Sequence, residues 1–457
     1  MKRILQAYTL LVCLTGCGSD SGSTAVVSED NNTQKIEQSA IELSASTSKK
    51  RSSLAADPQD VSLWRESINQ LAFSAFALTD NTSNILTSSY QQQVMFAPLY
   101  IAASDLTKIE LNEAFSFDDA TEPYEFLSAF NTLEQQLIST DSYFSQSYLW
   151  GQHNYSFAEE YLDRIVEYLG VEVKVADFIN DSNLFVDDIN MTLSIEDAEN
   201  FYEYFVDEET KIVSANQSHF TGRWKTPFGL FANEGEFTLL NGSKIKTPLI
   251  SAIVDVNYYE QDDDIFVELP FEDDEWSLYL LTSRDVDNFT SLKNSISEEK
   301  LSLLQGSSAL TSIEIIMPTF AFQKNEAINS LDFIDLSILE QALSTALSKY
   351  SADFSQLNEG SASDVYVKQA EYTAAIDFNA EGIDYLFQSY QIMNEKIIPE
   401  NDSNFSGVII IGNLPSSFII DNASTPKFIS FQQPFIYFLK HKVTGAIILT
   451  GHVTDPS

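Results

Sequence analysis

The side chains able to do covalent or acid–base chemistry are few in this chain of 457 residues. His153, His219, His441 and His452 are its only histidines, and none stands in HExxH, HxH or another spacing that sets two metal ligands on one face. They read as structural. The sequence also lacks a GxSxG elbow, a phosphate-cradling Walker loop and a GxGxxG turn after a strand. Hydrolase, nucleotide and dinucleotide chemistry therefore have no anchor, and the chain is read as no enzyme, with no catalytic residue, no metal set and no cofactor. Carboxylates do cluster, as DDD at Asp262–Asp264 and EDDE at Glu272–Glu275. Both runs lack the alternating ligand positions and glycine of an EF-hand loop and read as solvated surface. Asp and Glu outnumber Lys and Arg by 67 to 25, for a formal charge of -42. So acidic a protein repels nucleic acid and anionic bilayers alike.

The N-terminus carries a targeting pattern: Lys2 and Arg3, an apolar run from Ile4 to Leu14, then small residues before Cys17. That run is too short to span a bilayer as a lasting helix. LTGC, Leu14 to Cys17, resembles the lipobox of bacterial lipoproteins, which implies a signal peptide over 1–16 and lipidation of Cys17. Ser19, at the second position after that cysteine, implies sorting to the outer membrane, on its periplasmic or cell-surface, extracellular side. Membrane contact would be through the lipid anchor alone. With Cys13 inside the signal and Cys17 acylated, the mature chain keeps no cysteine for a disulfide or a catalytic thiolate. Residues 17–58 are rich in Ser, Thr, Asn, Asp and Glu, with too little apolar surface to offset chain entropy, and read as a flexible tether.

Periodic patterns begin after the tether. Trp64, Ile68, Leu71, Ala72 and Ala75 follow helical spacing, and further helices are expected from Phe126, over FAEEYLDRIVEYLG ending at Gly170, and from Leu339. Strand-like runs follow: DIFVELPF, WSLYLLTS, TSIEIIMPTFAF, VYVKQAEYTAAIDFN, GVIIIG, and a final pair joined by Val443 and Thr444. Helices dominate early and strands late, which predicts one α+β domain over 59–457 rather than a βαβ repeat; a monomer is expected.

Three segments read together carry a family resemblance: KIVSANQSHFTGRWKTPF from Lys211, YTAAIDFNAEG from Tyr372, and PKFISFQQPFIYFLKHKVTGAIILTGHVTDP near the C-terminus. They resemble the serpins, the serine protease inhibitor family, over nearly the whole domain. The resemblance implies three β-sheets, eight or nine helices and an exposed reactive-centre loop. It implies inhibition of a serine endopeptidase, after bait-loop cleavage, by insertion of the cut loop into the largest sheet. It also assigns roles by position: Glu381, Gly382, Ile383, Tyr385 and Phe387 to the hinge, and Asn216, Trp224 and Tyr372 to the region over which the sheet opens.

Several residues depart from the family pattern. Small residues usually follow the hinge glycine, whereas here Ile383, Tyr385 and Phe387 take positions that would face inward after insertion, since side chains alternate along a strand. Overpacking a slot costs about 1–3 kcal/mol per site; burying such a side chain returns about 1.5–3 kcal/mol. Tyr372 replaces the family's histidine, and Ala97 and Tyr100 stand where serines are usual, which implies a differently built opening step. Gly382 to Pro434 is about twice the usual separation, an extension costing only about 0.6 kcal/mol in closure entropy.

Counting forward from Gly382 places the bait bond at Lys396–Ile397; counting back from Pro434 places it at Ala423–Ser424. Lys396 is the only basic residue between Lys368 and Lys427, which favours the forward count and a trypsin-like serine protease as partner. The alternative is a non-inhibitory protein of the same fold that holds a partner through its extended loop.

Overall fold

Among the described residues the alternating runs form three sheets and the helical runs form eight α-helices. The structure, a computed structural model, describes residues 49–117, 123–193, 206–231, 234–329, 343–360, 364–396 and 427–457. Cys17, Ile397, Ala423, Ser424 and the expected strand GVIIIG fall outside them. In chain order the helices are α1 (Pro58–Leu78), α2 (Ser89–Ala102), α3 (Asp105–Phe115), α4 (Pro123–Ile138), α5 (Glu159–Leu169), α6 (Ser182–Leu193), α7 (Phe289–Asn294) and α8 (Glu298–Ser307).

Local chemistry explains the helix ends. Asp57 caps α1 by accepting from the Gln59 amide at 2.8 Å, with Pro58 in the first turn, where its missing amide costs nothing. Trp64, Ile68, Ala72 and Phe76 then recur every fourth residue as the buried stripe. Gly170 ends α5 in the left-handed region at φ 63°. The helix expected from Leu339 lies largely outside the described residues, and 343–347 form a single turn closed by Leu347 N to Leu343 O at 3.0 Å.

A nine-stranded sheet contains β1 (Ile85–Thr87), β5 (Gly229–Leu230), β8 (Leu249–Gln261), β9 (Asp264–Pro270), β10 (Trp276–Ser283), β11 (Ala309–Pro318), β15 (Lys427–Ser430), β16 (Phe435–His441) and β17 (Ile447–Val453). Its order is β1-β17-β16-β10-β9-β8-β11-β15, with β5 on β8. The six-stranded sheet comprises β2 (Tyr143–Gln152), β3 (Glu172–Ala176), β4 (Thr210–Arg223), β12 (Phe320–Asn329), β13 (Val365–Phe378) and β14 (Gly382–Glu395). It runs β12-β13-β14-β4-β2-β3. A two-stranded ribbon pairs β6 (Gly235–Thr238) with β7 (Lys244–Thr247).

One large core joins the two big sheets and the helices α1, α2 and α4. Phe320, for example, lies 5.8 Å from Tyr437 and 4.8 Å from Phe378, measured between ring centroids. A separate apolar cluster sits beneath α6 on the other face of the six-stranded sheet, where Phe185, Ile189 and Leu193 meet Tyr390 and Ile392.

The boundary at Pro58 needs correcting. Lys49–Asp57, assigned above to the tether, lies packed along α4 and α5. Arg51 pairs with buried Glu134 at 2.7 Å, and the Ser52 amide donates to the Glu167 carbonyl at 2.7 Å. A polar segment can dock this way because its partners are polar groups rather than an apolar face, a signal that hydropathy does not register.

The acidic runs sit at hairpin turns: Asp262 (φ 53°) links β8 to β9, and Asp274 (φ 57°) links β9 to β10. The four histidines are dispersed. His441 bonds Thr444 Oγ1 at 2.9 Å, His452 bonds the Ser83 carbonyl at 2.8 Å, His219 contacts Thr221 Oγ1 at 3.0 Å, and His153 lies 3.8 Å from Asp177.

Candidate functional site: the central strand Gly382–Glu395

The segment after Gly382 is the third strand from the β12 edge of the six-stranded sheet, hydrogen-bonded to β13 on one side and β4 on the other, antiparallel to both. A tight turn at Asn379–Glu381 feeds it. Asn379 Oδ1 accepts from the Glu381 amide at 2.9 Å and the Gly382 amide at 3.3 Å, and Asn379 N donates to Gly382 O at 3.0 Å. Trp224 clamps this turn. Its indole Nε1 donates to the Asn379 carbonyl at 2.9 Å and its amide to the Glu381 carbonyl at 2.9 Å, while its ring stacks on Phe271 and contacts Phe378. Arg223 pairs with Glu381 at 3.2 Å on the exposed side. Gly382 is required by closeness rather than by its dihedrals: a Cβ there would lie 1.8 Å from the Gly222 carbonyl oxygen.

Period-two alternation sends Ile383, Tyr385 and Phe387 into the core, all at most 1% exposed. The register shows why no clash results. Phe387 lies between Ala374 and Ser218, Ile383 between Phe378 and Gly222, and Tyr385 between Ile376 and Phe220. Small Ser389 in turn lies between Tyr372 and Asn216. Large thus meets small on both sides at Phe387 and on one side at Ile383, whereas Tyr385 has large neighbours on both sides; burial holds its phenol above its ordinary pKa, opposed by the Ser88 hydroxyl beside it. Overpacking is relieved while the burial gain stays.

Tyr372 stacks on Phe387 at 5.2 Å with planes 20° apart, so it serves the apolar side of this region. Asn216 donates to Ser147 Oγ at 3.0 Å and to the Gln146 carbonyl at 3.1 Å, tying β4 to β2 rather than to β14. Ala97 and Tyr100 lie in the second half of α2. Tyr100 stacks on Phe117, and the helix end nearer Tyr385 carries Ser88, whose Oγ caps α2 and donates to the Ile448 carbonyl at 2.5 Å. The hydroxyl at that place, that of Ser88, therefore lies nine residues before Ala97 and twelve before Tyr100.

The far end of β14 is held by polar contacts. Asn394 Nδ2 donates to Asp207 Oδ1 at 2.9 Å and its Oδ1 accepts from Thr210 at 3.2 Å; Lys368 pairs with Asp207 at 2.6 Å and Lys211 with Glu395 at 2.9 Å. Although burial opposes it, Lys368 and neighbouring donors hold Asp207 below the usual carboxylate range. Lys396 is half-buried; its amide donates to the Asp364 carbonyl at 2.7 Å and its ammonium to the Ala352 carbonyl. Burial lowers its pKa against the pull of Asp353 and Asp364. The Asp207–Lys368 contact was missed from sequence, because it joins residues 161 apart.

The family model for Serpin (serine protease inhibitor) matches residues 66–456. The chain belongs to the serpin family. Among relatives of this serpin are an uncharacterized serpin-like protein of Methanosarcina acetivorans, 22% identical with 85% of each chain covered, and plasminogen activator inhibitor 2 of Homo sapiens, 23% identical over 72% of this chain and 75% of the relative. Its fold is that of solved serpins. A loop-inserted cleaved ovalbumin mutant matches with a TM-score of 0.68 at 17% identity, covering 86% of this chain and 100% of that one. Tengpin in the latent state matches with a TM-score of 0.63 at 15% identity, covering 88% and 99%. The expected α+β serpin fold with three sheets is thus the observed one.

Proposed function

We propose that this serpin inhibits a trypsin-like serine endopeptidase, with Lys396–Ile397 as the bait bond, and that it does so in the bacterial envelope, anchored through lipidated Cys17. The observation that carries the inhibitory reading is the seating of Gly382–Glu395 as a complete central strand, hydrogen-bonded to both neighbours, with Ile383, Tyr385 and Phe387 buried. Such a strand is the end state that an insertion mechanism requires, and its burial supplies the driving force. Family membership supports the same reading, and the relatives include proteins named as plasminogen activator inhibitor and leukocyte elastase inhibitor. Incubating the purified protein with trypsin-like and subtilisin-like proteases tests it. A detergent-stable covalent complex with cleavage after Lys396 is expected, and its consistent absence across the panel rejects the proposal.

A second reading, a non-inhibitory serpin that holds a partner through the long segment before β15, is favoured by one observation: β14 is seated although the chain is continuous between Gly382 and Lys427. Deleting Ser403–Ser424 would then abolish retention of that partner; unchanged retention rejects this reading.

A further inference from the structure

The face where α4 meets the C-terminal end of α5 is built around one guanidinium. Asn131, Glu134 and Gln135 stand three and four positions apart on α4 and so share one side of it. Glu134 is buried; its Oε1 accepts from the Ser145 hydroxyl on β2 at 3.2 Å, and its Oε2 accepts from Arg51 Nη2 at 2.7 Å. Asn131 Oδ1 accepts from Arg51 Nε at 2.9 Å. The opposite wall is Gly170, where a Cβ would lie 2.7 Å from Arg51 Nη1 and 2.8 Å from its Cδ, so the glycine that ends α5 also makes room for the arginine. Two acceptors on α4 thus meet a planar fork of donors, a match that a lysine ammonium does not reproduce.

Beyond the arginine the groove reads main chain. The Ser52 amide donates at 2.7 Å to the carbonyl of Glu167, one of the last four of α5, which have no partner within the helix. The Ser52 carbonyl accepts from Asn131 Nδ2 at 2.9 Å and Gln135 Nε2 at 2.8 Å, and the Ala56 amide donates to Thr132 Oγ1 at 2.8 Å. Between them Ser53, Leu54 and Ala55 are exposed. One arginine and the backbone after it are therefore recognised, while the three side chains in between are left unread. Fixed backbone contacts plus one side-chain anchor are how a groove recognises a peptide.

We propose that the α4–α5 groove is a binding site for an arginine-bearing peptide, filled in cis by residues 51–56 and able to take the same peptide in trans when that segment is displaced. The contacts that hold the segment are hydrogen bonds and one ion pair, which water and a competing peptide can replace, rather than a large apolar face. Burial pushes the Glu134 carboxyl up and Arg51 pulls it down, so withdrawal of Arg51 leaves a buried carboxylate for another guanidinium to pair. The site stands apart from the inhibitory reading, since none of these residues lies on β14.

Fluorescence anisotropy of a labelled peptide with the sequence of residues 49–57, added to the full chain, tests this. Arg51→Ala weakens the cis segment and leaves the groove unaltered, so that variant should bind the peptide roughly 10-fold tighter than the wild-type chain does, the order of one charge-assisted hydrogen bond. Replacing the arginine of the peptide by lysine or alanine, or adding Glu134→Gln to the Arg51→Ala chain, should each weaken binding by about 10-fold or more. Arg51→Lys, which keeps the cation and loses the fork, serves as the host chain if Arg51→Ala fails to fold, and it too should bind the peptide more tightly than wild type. Equal binding by the wild-type and variant chains, no binding by a folded variant, or equal binding of the arginine and alanine peptides overturns the proposal and makes residues 51–56 a fixed part of the fold. Formation or absence of a protease complex decides the inhibitory reading and leaves these affinities as they stand.

Discussion

Tyr372 on β13 and Phe387 on β14 stack nearly face to face, 5.2 Å between centroids and 20° between planes, within the six-stranded sheet. Phe387 directly faces Ala374 and Ser218, and Tyr372 directly faces Ser389, so the two rings fill space that each other's partners leave. A contact of this kind holds β14 against β13 through apolar packing.

Phe387→Ala removes the ring from a site with no exposure. If the strand is seated in the uncut protein, the cost is about 3–5 kcal/mol, read as a lowered urea midpoint at unchanged slope. A midpoint unmoved from wild type would mean that Phe387 is solvated before cleavage.

Gly382→Ala drives a methyl into the Gly222 carbonyl, 1.8 Å away. Relief requires the first residues of β14 to move off β4, so we expect a loss of about 2 kcal/mol or more. Trypsin should also cut faster after Lys396. Wild-type cleavage kinetics would contradict the close approach.

Asn394→Ala removes two bonds to Asp207 and one from Thr210 and leaves Lys368 paired with Asp207. The loss should be about 1–2 kcal/mol. It should appear locally, as faster exchange of the amides at 392–395, with those of 383–387 unchanged.

His441 and His452 are buried, and desolvation lowers both to about 4 from 6.5. As the pH falls below 6.5 the unfolded chain takes up protons that the folded chain refuses, so stability declines until the folded-state value near 4 is passed. The decline should be on the order of 2 kcal/mol per histidine. Urea melts between pH 7 and pH 4 measure it, and His452→Gln should remove about half of the slope.

If complex formation with a protease proceeds from a withdrawn form of β14, its observed rate should level off as protease concentration rises, at the rate of withdrawal. A rate that stays linear in protease up to high concentration would show the bait loop to be exposed beforehand.

Much of this was legible in the sequence. Residue periodicity placed α1, α4 and α5 and the strands β9, β10, β11, β13, β16 and β17, the alternation of Ile383, Tyr385 and Phe387 predicted a single inward face, and the Trp224 and C-terminal segments carried the family. The start of the packed chain before Pro58 was not legible, because Arg51 and Ser52 dock through polar partners on α4 and α5. Nor was the place of Ser88 beside Tyr385.

What the sequence by itself determined is that residues 383–390 make a good strand with Ile383, Tyr385 and Phe387 on one face, since alternation is a local property of the chain. Whether those residues fit was decided only by tertiary structure. Fit depends on Ala374 across the β13–β14 hairpin, and on Ser218 and Gly222, brought alongside by pairing with the sequence-distant strand β4. Volumes facing one another across a sheet, and the distance a chain must span, are set by register and topology, which no short window of residues contains.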